Sequence, residues 1–369
     1  MERFRVGHAA RSNWSDAVAA CVEQLGPLPA GANLGFVYVG EAFADVLDHI
    51  AKDLSTRTGV PFWVGTAGHG VCASGVEYMA EPAVAILVGH VAEERFALID
   101  GLRGAEGRLA DDVMAWAAHE EGTFGVIHAD PRHHDLPATV ARLSARIGGF
   151  LVGGLGSAAA TSVQIAGDAT AGGLSGLLLG SAQPVLTGLT QGCRPIGPFR
   201  AITGHEGYIV HRLDDRRALD ALAEDAAGEG LDDLADKLHV AFPVQGSDRG
   251  DYLVRNLIGV EPTSGGLAVA APVNAGQRIA FVRRDAASAR ADLERMLDDL
   301  IGRLDGRTPR GALYYSCVAR GRHLFGEESV ELELIGERLG DVPLAGFFAN
   351  GEIFHDRLYA YTGVLTLLL

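Results

Sequence analysis

The sequence predicts an α/β protein: a layered sandwich of mixed β-sheets covered by helices, built from repeated β-α-β-β units in two halves. Three observations carry that expectation. Apolar runs such as Ala83 to Val88 and Ala312 to Val318 are nearly uninterrupted, as in strands covered on both faces. Stretches with apolar residues at helical spacing lie between them. The order strand, helix, strand, glycine-containing turn, strand occurs three times along the chain.

A helix over Ser15 to Leu25 opens the chain, with Val18, Ala19, Val22 and Leu25 on one face, and Pro27, Pro29 and Gly31 end it. The first unit follows: a strand at Asn33 to Val39, a helix at Ala42 to Thr56, a strand at Phe62 to Gly65, the turn Thr66 to Gly70 and a strand at Ala83 to Val88. The second places strands at Thr123 to His128 and Phe150 to Val152 around a helix at Leu136 to Ile147, then the turn Gly153 to Ser157 and the apolar run Gly173 to Leu179. The third has Ala312 to Val318, the helix Glu328 to Leu339, Leu344 to Phe348, the turn Ala349 to Glu352 and the final run Tyr361 to Leu369. Further strand and helix signals lie between the units, among them an amphipathic helix at Ala286 to Arg303 with Leu293, Met296, Leu297 and Leu300 on its apolar face. The polar, acidic segment Gly228 to Asp233 is the expected boundary between domains at 30–228 and 229–369.

Composition narrows the function. A chain of 369 residues implies two domains or one repeated domain. Its 48% apolar and 21% charged residues suit a soluble globular protein, and 49 glycines are about twice the usual share. A formal charge of -16 disfavours nucleic acid or an anionic membrane as a broad partner. Residues 1–20 lack the pattern of a secretory signal, and no apolar window reaches about 18 residues without charge, so a cytoplasmic location is expected. Cys21, Cys72, Cys193 and Cys317 are far apart and without metal-site spacing, which argues against a structural zinc or a disulfide framework. Gly154 to Ala159 has the look of a dinucleotide fingerprint, but the β-branched Thr161 to Ile165 stands where that fingerprint needs a helix.

Four segments carry a resemblance: Gly192-Cys-Arg-Pro-Ile-Gly-Pro198, Cys317-Val-Ala-Arg-Gly321, Pro343-Leu-Ala-Gly-Phe-Phe-Ala-Asn-Gly-Glu352 and Tyr361-Thr362. Together they resemble the FIST family, sensory proteins with paired N-terminal and C-terminal halves, also found in some eukaryotic F-box proteins. The resemblance covers about residues 30–369. It implies an intracellular small-ligand-binding signalling module that works beside a histidine kinase or a diguanylate cyclase or phosphodiesterase. Some bacterial members bind haem b and respond to nitric oxide. The family more often has glycine where this chain has Ala319, which bears on the shape of the turn after the strand.

The residues themselves suggest the chemistry. Arg320 and Arg322 can offer forked donors to a carboxylate or phosphate, or pair with a nearby acid such as Glu352. Asn350, Gly351 and Glu352 form a tight turn in which the carboxyl group needs a partner if buried. Cys317 and Cys193 are small buried hydrophobes unless neighbouring cations, including Arg194 beside Cys193, expose a thiolate. His205 and His211 are the histidines marked as haem-ligand candidates. Two further functions stay open at this level, an enzyme with Cys317 or Cys193 as nucleophile and a protein-interaction scaffold.

Overall fold

The computed structural model describes residues 2–102, 109–159, 163–229, 237–244 and 250–369. Two compact units emerge. Met1–Thr190, Leu293–Leu358 and Thr362–Leu369 form the first, and Gln191–Asp292 with Tyr359–Tyr361 form the second. Of the expected boundary segment, residues 230–233 lie outside the described residues. No helix among the described residues is long and apolar enough to cross a membrane.

Each copy in the first unit is longer than its sequence pattern indicated. Copy one runs as strand Arg5–Ala10, helix Trp14–Leu25, strand Leu34–Gly40, helix Leu47–Thr58, strand Phe62–Gly68, a hairpin of Gly70–Ala73 and Val76–Met79, and strand Ala83–Gly89. Copy two repeats this order with Phe96–Leu102, Asp111–His119, Thr123–Ala129, Leu136–Ile147, Gly149–Leu155, the hairpin Val163–Ala166 and Asp168–Ala171, and Leu174–Gly180. Copy three is Val185–Gln191, Ala286–Leu304, Gly311–Cys317, Val330–Leu339, Leu344–Ala349, the hairpin Glu352–His355 and Arg357–Tyr359, and Thr362–Leu368. The segment after Gly154 therefore continues into the strand Val163–Ala166, as its β-branched composition requires. Local signals set the helix ends. Asn13 accepts the backbone N–H groups of Ser15 and Asp16 at 2.8 and 3.4 Å, and Gly59 closes the Leu47–Thr58 helix at φ +73°.

In every copy the two strands that flank the second helix run parallel, as Leu34 with Phe62, Thr123 with Gly149 and Ala312 with Leu344. The last strand returns antiparallel beside the first of the two. The hairpin does not stay with its copy. That of copy one pairs with Leu344–Ala349 of copy three, that of copy two with Phe62–Gly68 of copy one, and that of copy three with Gly149–Leu155 of copy two. The exchange is cyclic, and it yields three six-stranded sheets of identical strand order.

Glycine permits the closest approach in each sheet. A Cβ on Gly65, Gly153 or Gly346 would lie 1.7, 1.8 or 1.7 Å from the carbonyl oxygen of Val37, Ile127 or Tyr314, respectively. These glycines stand in register with those residues, so they mark equivalent positions in the three copies. On its helix-bearing face each sheet buries a separate apolar cluster, around Leu47, Ile50 and Leu54 in copy one, Val140, Leu143 and Ile147 in copy two, and Leu297, Leu332 and Ile335 in copy three.

Among the described residues the strands of the second unit pair antiparallel, and the short helix Ala218–Asp225 packs on them. Strand Arg278–Arg284 pairs in turn with Arg200–Glu206, and the path continues through Ile209–Leu213, Gly266–Val269, Tyr252–Glu261 and Leu238–Pro243. Leu238–Pro243 pairs back onto Arg278–Arg284, with Val240 opposite Phe281, so six strands close a small barrel. The helix Ala218–Asp225 adds Ala218, Ala221 and Leu222 to a core containing Ile202, Val210 and Phe281. In the sequence, the barrel stands between the outer strand and the first helix of copy three.

Alanine at Gly65, Gly153 or Gly346 should destabilise the protein by about 3 kcal/mol or more, because the obstacle is backbone. Gly122→Ala, where nothing stands within 4 Å, should stay within about 0.5 kcal/mol by urea denaturation.

Candidate ligand site at the strand ends of the first unit

One residue beyond each glycine-marked position, the first strands converge. Tyr38, His128 and Tyr315 occupy equivalent places, and all three are fully buried. The Tyr38 and Tyr315 hydroxyls lie 3.0 Å apart, His128 Nε2 is 3.3 Å from the Tyr38 hydroxyl, and Phe347 stacks on Tyr38 at 5.3 Å. Burial pushes the His128 imidazole down to about 3, so it is neutral, and its Nδ1 has no hydrogen-bond partner among the described residues. These aromatic rings pack edge to face and stacked around one another.

The next turn outward is where the copies diverge. Strand register makes Gly40, Asp130 and Cys317 equivalent, and likewise Val71, Gln164 and Glu352 on the hairpins. Copy one has no polar side chain at either place. In copy two, Gln164 is wholly buried, accepts from Ser175 Oγ at 2.6 Å and donates to the Gly173 carbonyl at 3.4 Å. In copy three, Glu352 is wholly buried and its Oε2 accepts the Thr362 N–H at 3.2 Å and the Thr362 hydroxyl at 2.7 Å. The Cys317 thiol is a hydrogen-bonding neighbour of the same carboxyl group. Its Oε1 meets no well-aligned donor among the described residues. Burial pushes the Glu352 carboxyl up to about 8, against the opposing pull of Thr362, Arg320 and Cys317. At neutral pH it is a carboxylic acid, the protonated counterpart of the Gln164 amide.

Arg320 does not reach outward. It is fully buried and its Nε and Nη2 donate to Glu331 Oε1 at 2.8 and 2.6 Å, so its partner is Glu331 and not Glu352. Glu331 also receives the Tyr314 hydroxyl at 2.7 Å, the Ser316 hydroxyl at 3.0 Å and the Gly321 N–H at 3.1 Å. Beneath Gly321, which adopts φ +53°, lies Glu77 from the hairpin of copy one. Burial, with Glu331 nearby, pushes Glu77 up to about 7 even though the Arg322 N–H donates to it at 3.0 Å. The Arg322 side chain pairs with Glu328 at 2.9 Å, half-exposed. Asn350 is exposed at the turn, and its N–H donates to the Leu155 carbonyl at 3.0 Å.

The remaining sequence candidates belong to the second unit. Cys193 is buried and its carbonyl accepts the Tyr252 hydroxyl. Arg194 is held by Glu229 at 2.6 Å and Asp285 at 3.3 Å. His205 is exposed and His211 half-buried on the hairpin whose tip, Tyr208, is 57% exposed. A haem ligand needs an apolar enclosure and a partner for its other ring nitrogen. Neither imidazole as placed fits that role. Among the described residues no cluster of three or more His, Cys, Asp or Glu side chains could hold a metal ion.

Comparison with known proteins agrees with these motifs. The FIST N domain matches residues 33–216 and the FIST C domain residues 218–355. The chain belongs to the FIST family. An uncharacterized Mycobacterium tuberculosis protein is 30% identical over 331 residues, 83% of this chain and 83% of its own. An uncharacterized Mycobacterium bovis protein is 32% identical over 352 residues, 88% of this chain and 86% of its own. FIST domains are generally proposed to be small-ligand-binding signalling domains. In this member Cys317, Arg320, Gly321 and Glu352 of the matched FIST C region gather with Thr362, which follows that region, and with two further acids, Glu77 and Glu331.

Glu331 had a readable signal. It precedes Leu334 and Ile335 by three and four residues and so shares their buried helix face. Glu77 had none, since its place follows from the hairpin exchange.

Removing one partner of the Arg320–Glu331 pair, as in Glu331→Ala, should cost about 3–5 kcal/mol, whereas Arg322→Ala should cost less than about 1 kcal/mol in urea melts. Glu77 and Glu352 bind protons more tightly folded than unfolded, so their contribution is full below the unfolded value of 4.5 and is lost as pH rises through about 7 and 8. Tm should accordingly fall as pH rises from about 4.5 to about 8 and level off above that, and Glu352→Gln should flatten that slope.

Proposed function

We propose that this protein is a small-ligand-binding sensor in signal transduction, whose ligand engages the Cys317–Glu352 corner of the first unit. The observation that carries this reading is the Glu352 carboxyl group: wholly buried, neutral, and with an oxygen that no described residue satisfies. A buried polar atom left without a partner costs about 1–3 kcal/mol, and a ligand that supplies the partner recovers it. The Asn350–Gly351 turn, which immediately precedes Glu352 and is exposed at Asn350, is the proposed way in. A neutral acid beside a thiol favours a small polar molecule with a carbonyl or hydroxyl group over an anion. The proposed receiver is a separately encoded histidine kinase or a cyclic-dinucleotide enzyme, and its support is the family resemblance. Haem and nitric oxide find no support in the placement of His205 and His211.

Native mass spectrometry of gently purified protein, set against the denatured mass, tests the seat. The expected result is a small retained mass that Glu352→Leu weakens by about tenfold, the loss of one hydrogen-bonding partner. Equal retention by the variant, a retained haem, or no retained mass at any protein concentration would overturn it.

A further inference from the structure

The four cysteines stand in different surroundings. Cys21 and Cys72 are sealed at 0% exposure, and burial pushes the Cys21 thiol up to about 12 and the Cys72 thiol well above its usual range. Cys193 and Cys317 are buried too, with 5% and 6% of the whole residue exposed. Cys317 differs from the others in having a carboxylic acid as its hydrogen-bonding neighbour and the Arg320 guanidinium within electrostatic reach of that acid. The acid is also oriented. Both Thr362 donors occupy Oε2, so the proton of the neutral carboxyl group resides on Oε1, the oxygen that no described residue satisfies.

We propose that Cys317 is a hydroperoxide-reactive thiol, with Glu352 as the acid that protonates the departing hydroxide. In this step the Cys317 thiolate, having released its proton to solvent, attacks one peroxide oxygen. The Sγ–O bond forms, the O–O bond breaks, and the leaving hydroxide takes the Oε1 proton to become water. Sulfur loses two electrons and the peroxide gains them. The products are a Cys317 sulfenic acid, one water and an ionised Glu352. Arg320 favours the charge on the thiolate and then on the carboxylate. One exogenous thiol condenses with the sulfenic acid to a mixed disulfide, releasing water, and a second displaces it to restore Cys317 as the two exogenous thiols leave as their own disulfide. The sensor reading gains a second input at the same corner, but this step requires no bound ligand and is tested without one.

The hydrogen-bonding frame indicates which variant to use. Gln164 holds the position equivalent to Glu352 in copy two, buried and hydrogen-bonded, so the fold already accepts an amide there. The full-length protein, dialysed and reduced, is exposed to hydrogen peroxide, trapped with dimedone and read by peptide mass spectrometry. Cys317 should label at least about tenfold faster than Cys21, Cys72 and Cys193, and Glu352→Gln should slow it by about tenfold or more. Cys193 has a similar exposure, so it separates access from acid assistance. Labelling of Cys317 no faster than Cys193, read on the wild-type protein alone, overturns the proposal. So does an unchanged rate in a folded Glu352→Gln protein.

Discussion

The first unit depends on a constraint that no copy can meet alone. The strand that leaves the second helix in each copy, Phe62–Gly68, Gly149–Leu155 or Leu344–Ala349, has one side open to hydrogen bonding, and a hairpin from another copy covers it. An uncovered strand there would carry a row of unpaired buried backbone groups, which is among the most costly faults a fold can have. The exchange places the three sheets around Tyr38, His128 and Tyr315, and brings Glu77 of copy one beneath the Arg320 turn of copy three. Without the exchange, Arg320 and Glu331 would lose the surroundings that keep them dry.

The repeated frame makes the departures legible. Gly40, Asp130 and Cys317 share one position, and Val71, Gln164 and Glu352 another, yet the pairs run from apolar in copy one to carboxylate and amide in copy two to thiol and acid in copy three. A position that tolerates all three chemistries is not imposed by packing. The ionisable groups in copy three then remain as the feature that packing does not explain, and burial holds both Glu352 and Glu77 above the usual carboxylate range.

Much of this was legible in the sequence, and the rest was hidden for physical reasons. Strands such as Ala83–Gly89 and Thr362–Leu368 are buried along their whole length, so unbroken apolar runs reveal them, and the Leu136–Ile147 helix appears from its periodicity alone. The hairpins are four residues or fewer per strand and half polar, as in Val76-Glu-Tyr-Met79, too short for a period to register. Closure of the barrel in the second unit is likewise a matter of pairing Leu238–Pro243 with Arg278–Arg284, which no local pattern records. At the site, Cys317, Arg320 and Glu352 are recognisable by motif, but the motif leaves Arg320 either a ligand or a nearby acid such as Glu352 to pair with. Burial of Glu331 on an apolar helix face decided otherwise.

The cyclic exchange also has a temporal side. A ribosome delivers the chain from the N-terminus, so Gly149–Leu155 must wait for Glu352–Tyr359, some two hundred residues later, before its edge is covered. Long-range pairing of this kind slows folding and leaves a strand edge open to wrong partners during synthesis. Copy three, interrupted by the barrel, supplies both the last hairpin and the last strand. The nascent chain thus carries an open strand edge until the hairpin of copy three has emerged, and its yield in a cell depends on whatever shields that edge in the meantime.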